Sequence, residues 1–204
     1  MKNKRRSSIE KYQFTTTVSG NSSFYEHVGI PLAGALEDYL SSEGISHVGD
    51  NMDDALVLKM RPTATISLIE GTVGVLLFTV GSLSKDLLHD IYATKFQPIV
   101  KKILSAADKK LEGQNPKGGK AYEAGFWYAK ERVIILVAII DDSFQNILKY
   151  HDMIQGIHQN GINWIQRNGR HKTVHLYKVK NGQVNLEPHL FDTLAEAKSK
   201  GIGK

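Results

Sequence analysis

Val133-Ile134-Ile135-Leu136-Val137-Ala138-Ile139-Ile140 is an unbroken apolar run of eight residues, set between Glu131-Arg132 and Asp141-Asp142. A run this short, dense in β-branched side chains and bounded by charge, reads as a central strand buried on both faces. A partner strand is expected just upstream, over residues 121–129. Downstream, Asp142 is placed to cap a helix, with Gln145 three residues on in a capping-box arrangement. That helix is expected to reach Asn160 and stop at Gly161. Thr173–Lys180, the turn Asn181-Gly182 and Gln183–Glu187 then spell a β-hairpin. Asp192 or Thr193 caps a short last helix over Leu194-Ala195-Glu196-Ala197.

Working upstream, Gly113-Gln114-Asn115-Pro116-Lys117-Gly118-Gly119 is the clearest linker in the chain. It divides an N-terminal α+β lobe, residues 12–112, from a C-terminal α+β lobe, residues 120–204, and the two can form one compact domain. Tyr12–Val18 alternates with period two and reads as a strand. Pro31 opens a helix whose apolar stripe is Leu32, Leu36, Tyr39 and Leu40, with Gly44 at its end. Ala55–Met60 reads as another strand. Residues 63–111 read as long helices: Ile66–Leu83, apolar nearly all round and narrowed by Gly71, Gly74 and Gly81; Lys85–Phe96; and, past a break at Pro98, a stretch ending at Leu111. Gly71, Gly74, Phe78 and Gly81 mark the packing surface of the first of these. The expected class is α+β, with mixed sheets packed around a long glycine-containing apolar helix, a C-terminal hairpin and a short terminal helix.

Cysteine is absent from the 204 residues, which excludes disulfides, thiolate metal sites and cysteine nucleophiles. The opening residues 1–11 hold five basic side chains, read as a mobile tail, and lead into no apolar run, so a cytoplasmic protein is expected. The net charge of +5 is unevenly spread. Tyr12 to Leu58 has no Lys or Arg but carries Glu26, Glu37, Asp38, Glu43, Asp50, Asp53 and Asp54; Met153 to Leu186 has five basic residues and no acid. Segments so opposed can pair within a chain or between copies.

No stretch carries a nucleophile elbow, a phosphate loop or a dinucleotide fingerprint, and no cofactor is expected. Asp141-Asp142 at the carboxyl end of a buried strand suits a hard cation such as Mg²⁺ in a hydrolase, with His151, His171 or His175 nearby; capping already accounts for Asp142. His151 and His158 are seven residues apart, about 10 Å along a helix, too far to share a metal ion. His171 and His175 would stand about 13 Å apart on an extended strand. The spacing fits no zinc signature, so no metal is expected. Arg167, Arg170, Lys172, Lys178 and Lys180, interleaved with Trp164 and Tyr177, could follow a nucleic-acid backbone together with Lys2, Lys4, Arg5 and Arg6, or form a solvated hairpin face. The apolar 63–84 segment could enter a membrane, but its uncharged run falls short of the ~20 residues a helical span needs. The leading expectation is a non-catalytic, self-associating interaction module. The alternatives are a nucleic-acid-binding protein, a metal-dependent hydrolase and a membrane-acting effector.

Overall fold

A computed structural model describes residues 12–43, 71–79, 87–111 and 119–202 of the chain. The eight-residue apolar run lies inside strand β4, Val133–Asp141, and Val133 through Ile139 are all buried. Its neighbours are β3, Lys120–Tyr128, antiparallel, and β5, Val174–Lys180, parallel. The sheet continues through β2, Gly71–Thr79, parallel to β3, to β1, Tyr12–Ser19, antiparallel to β2. Beyond β5 lie two short strands, β6, Gln183–Val184, and β7, His189–Phe191, both antiparallel to it. One mixed sheet therefore runs through both sides of the 113–119 linker. The class is α+β, as expected.

One expectation is overturned. Within the stretch read as a long apolar helix, residues 71–79 form β2, a strand between β1 and β3. Gly71, Gly74 and Phe78 thus belong to a sheet, and Gly81 lies outside the described residues, as does Ala55–Met60. The physical reason is that a segment apolar on every side has no periodicity to separate a buried helix from a strand buried on both faces. Its β-formers Thr72, Val73, Val75 and Phe78 favour the strand. Glycine still serves close approach, but in the neighbouring strand: a Cβ on Gly125 would lie 2.5 Å from Leu76 Cδ1.

Helices cover one face. α1 (Ser22–Phe24), a π-wound turn Tyr25–Gly29 and α2 (Ile30–Glu43) follow β1. A π-wound segment Leu87–Phe96 and α3 (Gln97–Lys110) lead from β2 towards β3; Pro98 sits in the first turn of α3, where a missing N–H is harmless. α4 (Phe144–Tyr150) and α5 (Met153–Asn168) join β4 to β5. Gly161, expected to stop this helix, lies inside α5, because a Cβ there would come within 3.1 Å of Ile135 and 3.2 Å of Tyr177. The glycine lets α5 press onto the sheet, and the helix ends instead at Gly169, φ +83°. The α4 cap falls on Ser143, whose Oγ accepts from Gln145 N at 3.0 Å, one residue past the expected Asp142.

The β2–β3 and β4–β5 crossovers use the same face and step the same way across the sheet, while β3 and β4 run antiparallel. The two crossovers therefore have opposite hands, and one is left-handed, which is rare. The other face carries Leu76, Ala121, Ile134, Leu136, Ala138 and Leu176 under the C-terminal segment, α6 (Leu194–Glu196) and the π-wound Ala197–Ile202. Thr193 Oγ1 caps α6, accepting from Glu196 N at 3.1 Å. The Asn181-Gly182 turn forms with both residues at positive φ, as its sequence requires.

Candidate functional site

The densest set of polar side chains in the core lies between β3 and the helices. Alternation on β3 turns Tyr122, Ala124, Phe126 and Tyr128 towards them. Tyr92, from the segment preceding α3, places its hydroxyl 2.7 Å from Tyr122 Oη and 3.1 Å from His151 Nε2. Further along the same strand, Tyr128 Oη lies 2.5 Å from His158 Nε2. Phe126 fills the gap, edge-on to Tyr92 and 4.5 Å, centroid to centroid, from His158. Both imidazoles are fully enclosed, and neither Nδ1 meets a hydrogen-bond partner among the described residues.

Burial decides the protonation of this row. Desolvation lowers His151 to about 3, with the Lys101 charge adding to the effect and Asp152 opposing it. Desolvation alone lowers His158 to about 3. Tyr92 and Tyr122 move the other way: burial raises both, Tyr92 further through Tyr122, while the hydrogen bond to Tyr92 restrains Tyr122. General acid–base chemistry requires values near the working pH, and here His151, His158, Tyr92 and Tyr122 are driven away from it. The row is a set of neutral hydrogen bonds fastening helices to β3.

His175 sits elsewhere, on β5. Its Nε2 lies 2.6 Å from Arg170 O and 3.2 Å from Lys172 O, so that nitrogen carries the proton and Nδ1 is the free acceptor. Desolvation lowers its pKa against the pull of those two carbonyls. Trp164 meets both His175 and His171 edge-on, at 5.2 and 5.8 Å. The two histidines are thus drawn together, because His171 precedes β5 in a left-handed conformation, φ +53°, instead of lying on an extended strand.

At the opposite end of β4, Asp141 Oδ1 accepts from Ser143 N at 3.2 Å and Asn146 Nδ2 at 2.9 Å. Asp142 lies beside Gly119, whose φ is +85°. Asp108 accepts from Phe144 N at 3.3 Å and pairs with Lys120 at 3.8 Å. Asp108 and Lys120 gave no signal in the sequence. These groups hold the start of α4, and among the described residues no three His, Asp or Glu side chains converge as metal ligands. Comparison with known proteins finds no matching family, curated protein or solved structure.

The basic residues of the C-terminal stretch have separate partners. Arg167 Nε donates to Asn163 O on its own helix, and Arg170 Nη1 donates to Glu131 O. Lys172 pairs with Asp192 at 3.0 Å. Lys178 reaches Gly201 O at 2.8 Å under the C-terminal segment, on the sheet face opposite Trp164, while Lys180 is exposed at the hairpin turn. No described helix is long and apolar enough to cross a membrane. The tyrosines that complete the row were missed, although their even spacing on a strand was a usable sign.

Proposed function

We propose that this chain is a non-catalytic assembly module that associates with itself. The observation that carries the reading is the asymmetry of the sheet's two ends. At one end the outer side of β5 is taken up by β6 and β7. At the other end β1, eight residues with neither charge nor proline, pairs only with β2 among the described residues. Edge strands of that length and composition invite pairing, and proteins that must stay apart block them with lysine, proline or bulges. The dispersal of the candidate catalytic groups into caps and core hydrogen bonds supports the same reading.

Light scattering over a range of protein concentrations and salt tests this. The expected result is a mass above 22.7 kDa that rises with concentration. A mass that stays monomeric throughout refutes it. The cytoplasm is the setting assumed, and fractionation of cells expressing the chain checks it.

A further inference from the structure

β4 and β5 run parallel, so the turn that enters one and the loop that enters the other share an end of the sheet. Ile134 pairs with Val174, and Ile134 N donates to Thr173 O at 2.7 Å. Arg132 stands on that turn at φ +52°. Arg167 stands in the last turn of α5, and Arg170 and His171 follow in the loop; all four residues are exposed. Arg170 Nη1 donates to Glu131 O at 3.5 Å and ties loop to turn. None of the three arginines pairs with a carboxylate among the described residues. The nearby acids are occupied or withdrawn: Asp192 holds Lys172 at 3.0 Å, and Glu131 is turned inward with Oε2 enclosed. The bonds of Arg167 and Arg170 each use one N–H of a guanidinium that has five, and Arg132 has no side-chain partner among the described residues.

Two features keep backbone negative charge from this end. The open carbonyls of a helix C-terminus repel anions. In α5, however, Asn163 O, Trp164 O and Ile165 O accept from Arg167 Nε at 3.2 Å, Asn168 Nδ2 at 2.9 Å and Gly169 N at 2.8 Å. In the loop, the carbonyls of Arg170 and Lys172 turn inward onto buried His175, whose Nε2 donates to them at 2.6 and 3.2 Å. His171 between them, at φ +53°, is left outside, where its ring meets half-buried Trp164 edge-on at 5.8 Å. We infer that this end of the sheet binds single-stranded nucleic acid: the three arginines contact backbone phosphates, and the Trp164–His171 pair offers aromatic surface to a base. Guanidinium forks match the oxygens of a phosphate, and unstacked bases can reach an aromatic pair that a duplex could not. Lys178 and Lys180 take no part. The first is held by Gly201 O on the other face, and the second stands at the far end of β5. The inference goes beyond the assembly reading and does not depend on it.

Fluorescence anisotropy of a labelled oligouridylate, titrated with the full chain over a range of salt, tests this. Three phosphate contacts predict a slope of log affinity against log salt of about −2. Arg132→Gln, Arg167→Gln and Arg170→Gln, each altered at an exposed site, are expected to keep the circular dichroism of the wild type. Each should make the slope shallower by about 0.7, which at ~50 mM salt weakens binding about eightfold. Lys180→Gln, at the other end of β5, should leave slope and affinity unchanged. No binding at low salt, or binding that the arginine variants leave intact, overturns the inference. Polyglutamate bound as tightly as the oligouridylate, and lost with the same arginines, assigns the surface to an acidic polypeptide and overturns it as well.

Discussion

Acidification tests the enclosed histidines directly. In the unfolded chain an imidazole takes a proton near pH 6.5, whereas burial holds His151 and His158 at about 3. A depressed folded value means that the stabilisation is complete above the unfolded pKa and is lost as pH falls towards the folded one. At pH 5, each histidine has lost roughly 0.59 × ln(1 + 10^1.5), or about 2 kcal/mol, and the two together about 4 kcal/mol. His175 adds in the same direction. Asp152, whose pKa is lowered chiefly by its Lys101 hydrogen bond, begins to titrate only below this window and does not mask the effect. A loss of ~4 kcal/mol is a large part of the 5–15 kcal/mol typical of a folded domain. Urea unfolding at pH 8, 6.5 and 5 should therefore show a steep decline in unfolding free energy. His158→Gln, which can still bond Tyr128, should show about half that decline whatever its starting stability. A decline below ~1 kcal/mol between pH 8 and 5, or an unaltered slope in His158→Gln, would refute the assignment of these groups as neutral and enclosed.

Two further outcomes concern packing. Gly156→Ala, with nothing within 4 Å of the new Cβ, should gain up to ~1 kcal/mol of helix propensity, while Gly161→Ala, tight against Ile135 and Tyr177, should be the less stable variant by at least ~1 kcal/mol in thermal unfolding. Lys198→Ala strips the 2.6 Å partner from Glu123, itself 4% exposed, and should cost about 3–5 kcal/mol; replacing both residues by leucine should recover most of that in the same denaturant assay.

The sequence announced its elements unevenly. The 133–140 run was legible because charge bounds it and its length suits a strand, and Asn181-Gly182 because few other turns demand that pair. The same apolar character at 71–79 misled, since glycines there suggested helix packing and nothing polar marked a second face. The α4 cap slipped by one residue because Asp142 and Ser143 are both able to cap. The tyrosine–histidine row was only half legible: Tyr122 and Tyr128 stand at even spacing on a strand, but nothing in the sequence named their partners. The row depends on α5 packing on β4 so that His158 reaches Tyr128 of β3, an alignment set by the glycine at 161 and by pairings far apart in sequence.

The short strands β6 and β7 carry a consequence for how large an assembly can grow. By pairing with the far side of β5 they leave β1, among the described residues, as the end of the sheet with a single neighbour. A body with one such flank mates once and is spent, since its own twin consumes it. Fibre growth needs a second, differently placed contact on every member. If β1 mates as proposed, shortening the 183–191 return, and so baring β5, would supply one, turning a closed pair into a chain without end.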